Sequence, residues 1–387
     1  MCTDHIPGLR VCNGCLKTKG VHPPYLIKDT MSEYTSTKSF VDKYHKQALK
    51  NISILLVSVI GVIIVTGLFS VSVYDDISLI ESYQIIIDHI RGVEHEFRSQ
   101  EWWADRYIWN MVIPRIVAAL LAGISLSAAG ALMQALMNNP LADPYSTGIS
   151  SGAAFGAIAA LVTGLTINGM QGGMIISAFV GSMVPVGIVI LISKKMPLSP
   201  AALILVGTAL SYFFNSMVTY MLVMTDVETL QTAYIWQIGS FESITWDSIP
   251  LMAVATLICS IIVLILSKKL NIMSLGDANA KSLGLDVEKF RLICLIVMAV
   301  MTASIVCFTG TIGFLGLVAP HLVRIVVGSD NKFVVPISMA LGAFILLLAD
   351  YVALSTEVTV GTIMSMIGAP LFFILIVWQR KGYGAIY

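Results

Sequence analysis

Charge is what this chain has least of. Only 12% of its 387 residues are Asp, Glu, Lys or Arg, half of the roughly 25% that a soluble domain carries. That excludes a water-soluble globule, a disordered chain and a coiled coil. Lys+Arg and Asp+Glu balance at 23 each, and no basic stretch stands apart, which argues against nucleic acid as a partner. Cysteine is scarce as well, six in all, too few for a disulfide scaffold of this length. There is no Gly-x-x-x-x-Gly-Lys-Ser/Thr phosphate loop and no His-Glu-x-x-His, so neither nucleotide hydrolysis nor zinc proteolysis has its usual residues here.

What the chain has instead is apolar length. Hydrophobic residues make up 57% of it, mean hydropathy is +0.85, and the few charges lie between long apolar runs. A helix crossing a hydrocarbon core of about 30 Å needs roughly 20 such residues. Ten runs qualify: 52–73, 113–137, 146–162, 174–192, 201–224, 249–266, 292–308, 311–328, 334–354 and 361–378. The third is short and glycine-rich, and the eighth holds Pro320, His321 and Arg324. The expected fold is an all-α polytopic membrane protein of about ten transmembrane helices over residues 51–387, behind a polar tail over residues 1–50.

Lys and Arg concentrate on cytoplasmic loops. With the N-terminus inside, every Lys and Arg falls on the inner side except Arg91, Arg98, Arg106 and Arg115. The acidic residues lean the other way, with Asp75, Asp76, Glu81, Asp88, Glu94, Glu96, Glu101 and Asp105 in the first external loop. Both termini are therefore expected in the cytoplasm. The first run begins only at Ile52, too late for a secretory signal, and reads as an uncleaved span of the plasma membrane.

Cys259, Cys294 and Cys307 sit inside apolar runs and read as small hydrophobes. Cys2, Cys12 and Cys15 lie in the tail, where Cys12-x-x-Cys15 has metal-knuckle spacing that His22, His5 or Cys2 would complete. The second close pair of a structural zinc site is missing. An unstructured tail with incidental thiols fits the same residues, and a start at Met31 would remove the segment altogether.

The informative segments are those that break the hydrophobic pattern. Asn139-Pro140-Leu141-Ala142-Asp143-Pro144 follows the second run. Two prolines four apart cannot continue a helix, and irregular backbone survives at membrane depth only when protein buries it or it lines a wet path. An ordinary cytoplasmic turn and a constriction bearing Asn139 and Asp143 both fit. Next, Gly310, Gly313 and Gly316 recur at a spacing of three, which permits close helix approach. Pro320, His321 and Arg324 follow toward the inner face, where a histidine serves more often as a structural hydrogen-bond partner than as a proton relay. Finally, Leu275-Gly276-Asp277-Ala278-Asn279-Ala280-Lys281-Ser282-Leu283-Gly284-Leu285 lies in the longest internal loop. Its apolar residues suit a short amphipathic helix between glycines, which could dock a cytosolic partner or lie on lipid.

Together these strings resemble the FecCD-type permeases of ABC importers, which move iron–siderophores, haem and cobalamin. The resemblance runs from about Ile52 to the C-terminus. It comprises Pro114-Arg115, Asn139 to Pro144, Leu275-Gly276 with Leu283-Gly284, Gly310-x-Ile-Gly313-Phe-x-Gly316-Leu-x-x-Pro320-His321-x-x-Arg324, Leu348-Ala349-Asp350, and Ile367-Gly368-Ala369-Pro370. It implies the type II ABC importer architecture, a homodimer with its pathway on the two-fold axis, and an inner gate at Asn139 and Leu141. It also implies two cytosolic ATPase subunits docked on Leu275–Leu285 and an external substrate-binding protein paired with Arg115. No cofactor is expected on this chain, and ATP-Mg belongs to the ATPase partner. The sequence departs from the family at Val112, where a second arginine is common, in a shorter 350–357 stretch, and at Thr359 in place of a proline. An ion-coupled secondary transporter is the rival from another class. Mid-span acidic residues are almost absent, and Asp350 and Arg115 stand near span ends, from which both would snorkel to the interface.

Overall fold

The computed structural model of the chain describes residues 37–73, 78–165, 170–195 and 199–383. Cys2, His5, Cys12, Cys15 and His22 lie outside the described residues, and so does the tail reading built on them. The chain divides after Lys50. Among the described residues every regular element is helical.

In chain order the helices are α1 (Thr37–Val73), α2 (Leu79–Arg91), α3 (Gln100–Tyr107), α4 (Ile113–Met137), α5 (Ile149–Thr163), α6 (Met170–Ser193) and α7 (Pro200–Val223). They continue with α8 (Val227–Ile238), α9 (Ile249–Met273), α10 (Asp277–Ser282), α11 (Val287–Thr309), α12 (Leu315–Val327), α13 (Asn331–Ser355) and α14 (Val360–Tyr383). Seven described helical stretches are long and apolar enough to cross a membrane: Leu49–Phe69, Gln100–Met137, Gln171–Ser193, Pro200–Val223, Ile249–Met273, Val287–Thr309 and Asn331–Ser355. The other three apolar runs coincide with shorter helices, Ile149–Thr163, Leu315–Val327 and Val360–Leu375. The eighth run is the most altered: residues 311–314 are not helical, and α12 begins only at Leu315, behind Phe314 at φ 65°.

Local chemistry sets the ends. Asp226, Asp286 and Asp330 cap α8, α11 and α13 by accepting backbone N–H groups, and Ser199 does so for α7 ahead of Pro200. A π-turn at Ile108–Val112 joins α3 to α4 just before Pro114, whose ring nitrogen cannot make the i−4 bond. The helices α2, α3 and α8 do not announce themselves in the hydropathy of the sequence. Each is too short to register as an apolar run.

α4 is the central helix, packed against α9, α11, α12 and α13. Backbones approach closely where residues are small. A Cβ on Gly130 would stand 1.8 Å from the Gly316 carbonyl oxygen of α12, and one on Gly123 would stand 2.5 Å from Ala343 Cα of α13. Lipid is as apolar as leucine, so such contacts, and not water exclusion, select which helices lie inside.

Candidate functional site

α4 ends because Asn138 takes the left-handed conformation, φ 48°, while the N–H of Asn139 donates to Gln134 O at 3.1 Å. Asn139 then folds an Asx turn, its Oδ1 accepting the Leu141 N–H at 2.9 Å. Its own side chain thus shapes the segment expected to be the gate, and leaves Leu141 40% exposed. Asp143 caps the short 3₁₀ turn Pro144–Thr147 through the Tyr145 N–H at 3.1 Å. Pro140 and Pro144 bracket this irregular stretch, as the sequence pattern requires.

The two glycine- and proline-rich strings, far apart in sequence, meet. Tyr145 Oη donates to Ile312 O at 3.0 Å across 167 positions, and a Cβ on Gly316 would contact the Pro144 ring at 3.4 Å. Tyr145 was not singled out by the sequence reading, because nothing in a single chain signals that pairing. The glycines of the second string divide. Gly310, at φ 70°, admits the Trp236 carbonyl, which a Cβ would approach to 1.9 Å, and Gly316 admits α4. A Cβ on Gly313 would meet nothing within 4 Å, so the expected close approach does not hold there; it lines a recess instead.

That recess, about 530 Å³, lies among the first turns of α5 and α14, the end of α8 and residues 311–313. Tyr145, Ser150, Ser151, Asn215, Tyr234, Gln237, Thr311, Thr362 and Ser365 supply its polar wall, and no charged side chain joins them. Hydroxyl and amide groups of this kind can exchange hydrogen bonds with a passing solute without holding it by charge.

The loop at 275–285 folds as its glycines dictate. α10 is flanked by Gly276 at φ 90° and Gly284 at φ 83°. Gly284 N–H donates to Lys281 O at 3.0 Å and Leu285 N–H to Ala280 O at 3.0 Å, a Schellman end that needs the left-handed glycine. Ala280 is buried, Leu285 packs onto the core, and Asp277 accepts from Arg291 Nη2 at 2.6 Å. Leu275, Ala278 and Leu283 face outward, Leu275 55% and Leu283 61% exposed. The Lys289 backbone N–H on Asp286 holds that carboxyl below its ordinary range, which keeps the cap of α11 ionised. A rigid knob with an apolar tip results.

The family model that matches residues 50–378 is that of the FecCD transport family. The chain belongs to that family. Fe(3+)-citrate import system permease protein YfmE of Bacillus subtilis is 33% identical, over 87% of this chain and 98% of its own length. Cobalamin import system permease protein BtuC of Halobacterium salinarum is 35% identical, over 68% of this chain and 71% of its own. Molybdate import system permease protein MolB of Haemophilus influenzae is 32% identical, over 71% of this chain and 82% of its own. A solved metal-chelate type ABC transporter in an inward-facing conformation superposes with TM-score 0.71 at 30% identity, covering 84% of this chain and 98% of that one. The chain is a multi-pass membrane protein with the helical architecture of an ABC importer permease.

Two FecCD motif residues behave otherwise than expected. Asp350 does not snorkel: its side chain is fully buried, and Arg115 reaches it with Nε on Oδ2 and Nη2 on Oδ1, both at 2.8 Å. Facing in from opposite helices, the two charges neutralise each other and stay in the bundle, which removes the need to reach water. His321 is 1% exposed, and the hydrogen bond expected of it is absent, neither ring nitrogen having a partner among the described residues. Arg324, by contrast, is richly bonded. Nε donates to Gln134 Oε1 at 3.3 Å, and Nη2 to Asn331 Oδ1 at 2.9 Å and to Ala131 O at 3.4 Å.

Proposed function

We propose that this chain is the membrane permease of a binding-protein-dependent ABC importer that carries a metal chelate of the iron–siderophore, haem or cobalamin type across the plasma membrane. Separate cytosolic ATPase subunits drive it. The observation that carries this reading is the FecCD match across residues 50–378, supported by relatives named for ferric citrate and cobalamin import. A second copy of the chain would close the recess across the two-fold axis. Both termini would face the cytoplasm, and the knob at Leu275–Leu285 would seat in the ATPase. Asn139 and Leu141 would form the inner gate. With Nε and Nη2 spent on Asp350, Arg115 offers an external binding protein little. The charged first external loop presents the larger surface to it.

An ion-coupled carrier would need a titratable group free to change charge within the membrane. Asp350, its best candidate, is held by Arg115, which favours the ABC reading. Mild-detergent purification of the tagged chain, followed by mass spectrometry, tests it: a stoichiometric phosphate-loop ATPase is expected. The assembled complex in proteoliposomes should then take up cyanocobalamin, ferric citrate or a ferric hydroxamate only with ATP. A chain that repeatedly purifies alone and accumulates solute on a proton gradient would sink the proposal.

The knob makes a sharper prediction. At Gly284, φ 83°, a β-branched residue meets a left-handed penalty of about 1–2 kcal/mol. Gly284→Val should therefore distort α10, leaving insertion intact while ATP hydrolysis continues without uptake. Gly276→Val should act alike. Normal uptake per ATP in both variants would remove Leu275–Leu285 from the coupling role.

A further inference from the structure

Between the knob and the gate lies a connected set of polar side chains, Gln134 and Asn331 buried and Asn271 and Arg324 half-buried, that neither assignment uses. α9 runs straight into the knob; its last turn carries Asn271, and Ser274 caps it. α4 runs straight into the gate, and its last two turns carry Ala131 and Gln134. Asn331, fully buried at the start of α13, stands between them. Its Nδ2 donates to Asn271 Oδ1 at 2.9 Å and to Ser274 Oγ at 3.4 Å, while its backbone N–H donates to the same Asn271 Oδ1 at 2.8 Å. On its other side, Asn331 Oδ1 accepts Arg324 Nη2 at 2.9 Å. Arg324 passes on to Gln134 Oε1 and the Ala131 carbonyl, and Gln134 Nε2 closes the chain on Leu317 O of α12 at 3.1 Å. Asn271 Nδ2 is in turn held by Asp330 Oδ1 at 2.6 Å. Beside this chain, Asn138 Nδ2 reaches Met273 O at 3.4 Å, joining the residue before the gate to the end of α9.

We infer that Asn271, Asn331, Arg324 and Gln134 form a strut that carries displacement of the knob to the gate at Asn139 and Leu141, and that Asn331 and Arg324 are positioning residues for transport. The inference rests on the permease reading above. Three features favour a transmitting strut over passive packing. Both amide groups at its centre are oriented in one sense only, since Asn331 offers its oxygen to a guanidinium and its nitrogen to an oxygen. The members of a fully connected network of this kind strengthen one another, so a shift of one is felt by the rest. The strut also ties together, at the end that bears the knob and the gate, four helices, α4, α9, α12 and α13. Finally, the cation of Arg324 sits against the Ala131 carbonyl, two turns from the negative end of α4. Any tilt of α13 or α9 would therefore drag the residues that hold the gate.

The test reads gate motion without a cargo. In the full complex, with Cys2, Cys12 and Cys15 replaced by Ser, Leu141→Cys serves as a reporter labelled by a membrane-impermeant maleimide, with and without ATP-Mg. With Asn331 intact, labelling should change with nucleotide. Asn331→Ala should keep the assembled complex and its ATP hydrolysis while shrinking the nucleotide-dependent change by between about twofold and thirtyfold, the range over which such networks modulate coupling. Asn271→Ala should do the same from the other side, and the double variant should be no worse than either alone, as for two cuts in one strut. If Asn331→Ala does not assemble, Asn271→Ala carries the test, because it leaves the acceptor of Arg324 in place. An undiminished nucleotide response in the variants overturns the strut, and so do additive losses in the double variant or losses of hydrolysis and response in equal measure. A reporter that ignores nucleotide even with Asn331 intact, while ATP is hydrolysed, instead overturns the gate assignment, and the strut falls with it.

Discussion

Two arginines enter the bundle from opposite ends and are held in opposite ways. Arg115, on α4 at the end near α3, lays its fork on both oxygens of Asp350 at 2.8 Å, with the carboxylate fully buried. Arg324, at the end near α10, meets no carboxylate. It spreads over a glutamine, an asparagine and two carbonyls at 2.9–3.5 Å. A bidentate charge pair tolerates one geometry. Several neutral acceptors, each weaker, tolerate a range of geometries, so the helices they join can shift while the network stays connected. One end of α4 is thereby fixed to α13, and the other is linked to it through contacts that can rearrange. The rearrangeable end is the one that bears Asn139 and Leu141, the segment that a gate would have to move.

Breaking the fixed end should have the largest effect. Asp350→Ala leaves a buried guanidinium uncompensated and should cost about 3–5 kcal/mol of stability. Replacing both partners together, Arg115→Met with Asp350→Leu, should return most of that loss, because the pair offsets its own desolvation only partly. Unfolding by SDS in mixed micelles measures both. A double variant as unstable as the single one would mean that the pair is not what fixes this end.

The other end should break more gently. Arg324→Met removes the cation but leaves Gln134 and Asn331, two neutral amides whose unfilled hydrogen bonds should cost about 1–3 kcal/mol. The same unfolding measurement decides it. A loss equal to that of Asp350→Ala would erase the distinction between the two ends, and uptake should suffer in Arg324→Met out of proportion to stability.

The contrast also shows what a single sequence can reveal. The second apolar run, 113–137, coincides with α4, and Gly276 and Gly284 mark the ends of the short internal helix, because length, apolarity and left-handed glycine are local properties. Even the eighth run betrayed trouble through its proline, histidine and arginine, although its first residues proved not to be helical. α8 was missed because twelve residues with polar members at most turns carry no apolar run. The partners were hidden for a different reason. Arg115 finds Asp350 across 235 positions and Arg324 finds Gln134 across 190, and no spacing rule reaches so far. Nor does hydropathy say which apolar helix lies inside: the stretch with 78% of its apolar window buried has hydropathy 2.2, while Leu49–Phe69, at 2.8, has only 22% buried. The small residues of α4 carry that information instead.

The smallest expected effect lies between the two ends, at the staple that joins the broken segments. Tyr145→Phe keeps the ring and deletes only the hydroxyl that donates to Ile312 O at 3.0 Å. One neutral hydrogen bond is worth about 0.5–1.5 kcal/mol net, so the variant should unfold only slightly earlier than the parent chain. Its consequence for transport should be larger than its consequence for stability. The hydroxyl ties the 3₁₀ turn after the gate to the 311–313 segment that walls the recess, and without it the two can separate. ATP-dependent uptake in proteoliposomes should then leak, with solute escaping along the recess when ATP is withheld. If Tyr145→Phe loses stability but stays tight, the bond is a local brace, and the division between a fixed and a rearrangeable end does not extend to the middle of the bundle.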